Sequence, residues 1–215
     1  GAADLAINAA TTTTFGAAVG GTTPLAALVI AKNGSTTTLG GNVTTTGEQT
    51  FSDPVALTSN VALTAGSVTL LSVDGGGFAL ATNTTTSATL GSGGVIGNLA
   101  GLVTEGGQTV LNGTIETTGG QVYVGNGTIL DGPSTLQGAF SNFGSGVDAR
   151  GLDLTLNFTQ STAVNSGVFS NIGSLTSLGP VALSGTIDSA GFQNYAAAAT
   201  LSADTTLKAT GNTDF

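Results

Sequence analysis

The chain has 215 residues, of which 40% are hydrophobic and only 7% charged, and its formal charge is -9 at pH 7. Its 12 acidic residues face three basic ones, Lys32, Arg150 and Lys208, so no basic surface exists to neutralise nucleic-acid phosphates or to hold an anionic membrane. This apolar content with so little charge excludes a disordered acidic chain. The absence of Cys and His removes disulfides, thiol nucleophiles, Ser/His/Asp triads and the commonest metal ligand together.

Along the chain, short β-type runs alternate with turn residues. Residues 5–8 (LAIN), 36–39 (TTTL), 49–51 (QTF), 55–57 (VAL), 61–63 (VAL) and 67–70 (SVTL) place apolar side chains at alternate positions or stand between Gly, Asn and Asp. The run 24–31 is the longest apolar stretch and is far too short to span a bilayer. The first residues carry no basic region followed by an apolar segment, so export would be directed by residues outside these 215. Val, Leu, Ile and Ala beside Thr, Ser, Asn and Gly predict an all-β chain.

Three segments superpose at a spacing of about 72 residues: 49–63 (QTFSDPVALTSNVAL), 121–136 (QVYVGNGTILDGPSTL) and 193–207 (QNYAAAATLSADTTL). The echo extends outward. Residues 24–29 match 98–103 and, more loosely, 171–176, while Leu39 and Val43 return as Leu111 and Ile115 and as Leu183 and Ile187. The turn 73–80 returns at 147–154, and Ala3-Asp4-Leu5 reads as the tail of an earlier copy of it. No Pro-rich, charged or Gly/Ser-only joint separates the units, which predicts one body over residues 1–215 with repeat units of approximately 1–74, 75–148 and 149–215. The chain stops where a further strand is expected, as in a segment of a longer array or a subunit that continues its stack on another molecule.

A weaker echo lies inside the repeat: Leu39 and Val43 are answered by Leu57 and Val61, and Leu111 and Ile115 by Ile129 and Pro133. Four coils of about 18 residues per repeat, rather than three of about 24, would stack about twelve coils at roughly 4.8 Å into a rod approaching 60 Å. The expected fold is a right-handed parallel β-helix, a β-solenoid, with inward aliphatic stacks and Gly, Asn or Asp at the corners. Three β-sandwiches of about 72 residues are the rival; they would be short for that fold and have no Trp to build on.

Candidates for chemistry are few, and the sequence offers no catalytic, cofactor-binding or metal-ligating set. Asp74 and Asp148 hold equivalent places and read as corner residues; Arg150, the only Arg, replaces Gly76 and is placed to pair with Asp148 or Asp153 at the surface. Glu105 and Glu116 flank Leu111 where the first unit has Ala31 and Thr44, and read as solvated. Asp74-Gly75-Gly76-Gly77 has one carboxylate where a calcium loop needs several, and the nonapeptide calcium repeat is missing. Asp53-Pro54, Asn33-Gly34 and Asp131-Gly132-Pro133 are turn signals. The Thr runs 11–14, 36–38, 44–46 and 84–86 suit exposed strands but do not keep a Thr-x-Thr register that would order water.

The blocks TTTTFGAAVGGTTPLAAL, GGNVTTTGEQTFSDPVALTSNVALTAG and SVTLLSVDGGGFAL resemble the repeats of large bacterial surface proteins of the filamentous-haemagglutinin-like, two-partner-secretion or autotransporter-like adhesin type. The T-G-x-Q-x-[FY] strand of such repeats stands at 46–51 and 118–123, while 190–195 lacks the Thr. The resemblance implies a non-enzymatic β-helix stalk or filament subunit displayed outside the cell, acting in adhesion or biofilm attachment, with no family catalytic residue to carry over. The partners expected are a second copy stacked end to end through the terminal coils and a host or matrix glycan or protein, with neither nucleic acid nor membrane insertion. A polysaccharide-acting β-helix or a glycan-binding module is the alternative.

Overall fold

A computed structural model describes residues 2–165 and 168–215; the Gly1 end of the expected terminal coil lies outside the described residues. The described chain forms strands and no helix, and every strand pair is parallel, which excludes the β-sandwich. About ten coils stack into a β-solenoid. Hydrogen bonds run from each coil to the next across the expected unit boundaries, for instance Asp74 beside Gly97 and Asp148 beside Ser170.

Each coil has three faces. Face A runs through Asp4–Ile7, Ala27–Ile30, Glu48–Phe51 and then the later parts of Val61–Leu70 and Ala79–Leu90. Face B runs through Thr13–Phe15, Thr37–Leu39, Val55–Leu57 and Val73–Asp74, and ends at Gln193–Tyr195 and Thr213–Asp214. Face C includes Val43–Thr44, Gly120–Gly125, Phe140–Phe143 and Thr162–Asn165. Corners fall where Gly relieves the backbone. Gly106 has φ +83°, and a Cβ there would strike the Thr84 carbonyl of the coil below.

Alternation sends one file of side chains per face inward, where Leu28, Leu39, Leu63, Leu70, Leu90, Leu111 and Leu183 have no exposure. Each rests on a counterpart one coil away, so the core is a set of aliphatic columns that no single coil could bury alone.

Coil length departs from the expectation. Along face A the register runs Leu5, Leu28, Gln49, Val68, Ala88, Thr109, Thr128, Val147 and Phe169, a longer average step than the inner echo suggests. Individual coils differ, from the short step that sets Thr37 beside Val55 to the long one that sets Thr13 beside Thr37. The inner echo holds at Leu39 and Leu57, but Val43 pairs with Leu63 rather than Val61, Leu111 with Leu130 and Ile115 with Leu136. Corners absorb the difference, because a turn gains or loses residues without disturbing the columns.

The long repeat is therefore not a whole number of coils. From Gln49 three coils of face A lead through Val68 and Ala88 to Thr109, and the chain then crosses two more faces to reach Gln121 on face C. The same count from Gln121 reaches Gln193 on face B. Each repeat spans three and two-thirds coils, and its three copies stand on three different faces.

Candidate functional site

The element that recurs most faithfully is a clamp inside one corner of each repeat. Gln49, Gln121 and Gln193 are fully buried. Gln49 Nε2 donates to Val43 O at 3.0 Å, on the preceding face, and to Thr64 O at 2.9 Å, one coil above it. Gln121 Nε2 reaches Ile115 O and Gln137 O at 3.0 and 2.8 Å, and Gln193 Nε2 reaches Ile187 O and Lys208 O at 3.0 and 2.7 Å. One amide thus ties two faces and two coils together from inside. Leu28, Leu102 and Leu175 lie beneath the three glutamines.

A hydroxyl four residues earlier closes the turn: Thr45, Thr117 and Ser189 donate to Gly47 O, Gly119 O and Gly191 O at 3.0, 2.9 and 3.3 Å. The Thr missing from 190–195 is therefore one position away from the hydroxyl that matters, which Ser189 supplies.

A second recurring corner carries the candidate carboxylates. Asp74 Oδ1 accepts Gly76 N and Asn98 Nδ2, both at 3.1 Å; Asp148 Oδ1 accepts Arg150 N at 3.0 Å and Asn171 Nδ2 at 2.9 Å. The Asn171 amide, and then the Arg150 backbone N–H, hold the Asp148 carboxyl below the usual carboxylate range. Gly76, Asn98, Arg150 and Asn171 all have φ between +51° and +55°. Asp4 belongs with the tail of this turn rather than with its carboxylate: Leu5 stands on face A and its counterparts Leu80 and Leu154 on faces C and B, the same rotation as the three glutamines.

Asp148 and Arg150 meet through the Arg150 backbone N–H, and Asp153 Oδ1 accepts Ser174 N at 2.7 Å. Among the described residues, the cavity lined by Arg150 includes neither Asp148 nor Asp153, and another includes Asp148 without the other two. Glu105 is on face C opposite Asn83, and Glu116 on face B opposite Gln137, so they do not act as a pair. Among the described residues no three acidic side chains come close enough to hold a metal ion.

Asp53 does more than mark a turn. Buried at 1% exposure, it accepts the backbone N–H groups of Asn33 and Gly34 and the Ser35 hydroxyl, fastening the loop of the coil below; the Asn33 N–H leads in holding its carboxyl below the ordinary value.

Threonine ladders are present where the Thr runs did not place them. Thr50, Thr69 and Thr89 are neighbours on the outside of face A, and Thr114, Thr135, Thr155 and Thr176 on face B. Within the runs alternate residues turn inward, so Thr37, Thr45 and Thr84 are buried. On face C, Ala62, Ala81, Val103 and Val122 form an apolar file beside a groove of about 380 Å³, where the Phe140 ring covers Gly120. A larger cavity, about 710 Å³, opens beside Arg150 and reaches Asp188 and Thr210.

The chain matches no protein family, no curated protein and no solved structure. The clamp is a structural device whose signal, a Gln two residues before an aromatic residue once per repeat, was visible in the sequence; the outer Thr ladders needed the true coil length to be found.

Proposed function

We propose that the chain is a non-enzymatic structural protein of the bacterial surface, a β-solenoid shaft serving as an adhesin stalk or as the subunit of a surface filament in attachment or biofilm formation. The observation that carries this reading is the clamp: its three copies buttress the interior of one shaft on three faces in turn. A repeat spent on internal ties, with its carboxylates braced by backbone and Asn donors, suits reach and rigidity rather than turnover. Solvent or host protein would meet the ladders of Thr and of small apolar residues.

Filament growth would use the last coil. Leu201 and Phe215 are 65% and 76% exposed there, whereas Phe143, one repeat before Phe215, is 6% exposed beneath Phe169 of the next coil. A further coil, from the same chain or from a second copy, would cover Phe215 in the same way.

The test is localisation and loss of attachment. Antibody labelling of intact bacteria is expected to decorate the outer surface, and deletion is expected to reduce adhesion or biofilm; a product confined to the cytoplasm would contradict the proposal. Sedimentation of the chain as a function of concentration, with Phe215→Asp as control, separates filament subunit from stalk.

A further inference from the structure

Arg150 is where the second copy of the Asp corner breaks its template at a cost in backbone conformation. The first copy reads Asp74, Gly76, Asn98 and Glu116; the second reads Asp148, Arg150, Asn171 and Asp188. Backbone geometry is kept, φ +55° at Gly76 and +52° at Arg150, in a region that Gly enters freely and an L side chain does not. The internal gain is small: among the described residues the guanidinium makes no hydrogen bond to the chain, its charge is the least of the effects that hold the Asp148 carboxyl low, and Asp148 is already satisfied by Asn171 and the Arg150 backbone. A backbone cost kept for so small an internal return points to an external partner.

The surroundings define that partner. Arg150 stands at the wall of the 710 Å³ cavity, which Phe169 and Ile172, themselves buried, close from inside and whose open lining includes Gly151, Asn171, Thr186, Asp188 and Ala190. The guanidinium only donates, the Asp188 carboxylate only accepts, Thr186 does both, and the Asn171 Oδ1 is left as an acceptor once Nδ2 is given to Asp148. The small apolar surface of Gly151 and Ala190 among mixed donors and acceptors matches a pyranose ring, which has one face of C–H groups and a rim of hydroxyls. A bare anion would meet Asp188 and a chain of charge -9, and a cation would meet Arg150.

We propose that this cavity is a binding subsite for a neutral saccharide unit, with Arg150 as the residue that distinguishes it from the equivalent corner at Gly76. The proposal does not depend on where the shaft is displayed. It is tested by titrating neutral oligosaccharides of glucose, galactose, mannose and N-acetylglucosamine, with oligogalacturonate as the acidic arm, into the isotope-labelled chain and following backbone amide shifts. Expected are saturable shifts at residues 150–151, 169–172 and 186–190 with at least one neutral probe, and at least tenfold weaker binding in Arg150→Gly. That variant restores the residue of the first copy, so its thermal midpoint should be equal or higher. Asp188→Asn should weaken the same probe without unfolding the chain. The proposal is overturned if no neutral probe shifts these amides, if only oligogalacturonate does, or if Arg150→Gly binds as well as the parent.

Discussion

The Tyr123 hydroxyl donates to Gln121 Oε1 at 2.8 Å deep inside the solenoid, and Tyr195 does the same for Gln193 at 3.0 Å. In the first repeat the aromatic residue is Phe51, and Gln49 Oε1 is buried without a partner. The same clamp thus exists in two satisfied copies and one unsatisfied copy within one chain.

Phe51→Tyr should supply the missing donor and stabilise the fold by about 1 kcal/mol, while Tyr123→Phe should create the defect and destabilise by about 1–3 kcal/mol. Urea unfolding of both variants beside the parent checks this, and equal midpoints would show that the hydroxyl is energetically idle.

Thr37 offers a second internal comparison. Its Oγ1 is buried without a partner while its neighbours along the column are Thr13 and Val55. Thr37→Val should be neutral or stabilise by about 1 kcal/mol, since a desolvated hydroxyl is replaced by a methyl group. Thermal midpoints decide it, and a marked loss would mean that the hydroxyl has a partner after all.

Leu57, 4% exposed, stacks on Leu39 in face B. A carboxylate there would lie in an aliphatic column with no counter-charge, so Leu57→Asp should abolish folding. Native-like circular dichroism of that variant would show that Leu57 does not point inward.

Stability should fall at both ends of the pH scale. Burial pushes the Tyr195 hydroxyl up to about 12 and drives Tyr123 upward as well. Unfolded tyrosine ionises near about 10, so this contribution is complete below that pH and is lost as pH rises through the folded value. Asp53, held low chiefly by the Asn33 N–H, and Asp148, held low chiefly by Asn171, contribute above the unfolded carboxylate value, and that contribution is lost as pH falls through their lowered values. Thermal melts across pH should show both limbs, with the acid limb shallower in Asp53→Asn.

Much of the fold was legible because a solenoid writes its core as columns. Leu39, Leu111 and Leu183, and Val43, Ile115 and Ile187, were aligned by spacing alone and all prove fully buried. Coil length was not legible, because corners of unequal size separate the strands: one coil keeps Leu39 beneath Leu57, while its next face sets Val43 beneath Leu63. The three-face rotation of the repeat follows from that length and was hidden with it. Asp74 and Asp148 were recognised as corners from their recurrence, and Asn98 and Asn171 head the aligned segments 98–103 and 171–176, but they lie a full coil away and nothing local tied them to the carboxylates.

The central claim is the register of the three-sided coil, and disulfide trapping in this cysteine-free chain tests it most directly. Thr69 and Thr89 are register partners on the outside of face A, whereas the shorter coil expected from the inner echo would bring Thr69 opposite Ser87. Neighbouring parallel strands lie about 4.8 Å apart, within reach of a disulfide, while a two-residue slip moves the pair beyond about 7 Å. Mild oxidation should cross-link Thr69→Cys/Thr89→Cys rapidly and leave Thr69→Cys/Ser87→Cys largely reduced; the opposite pattern would contradict the register and the rotation of the repeat around the shaft.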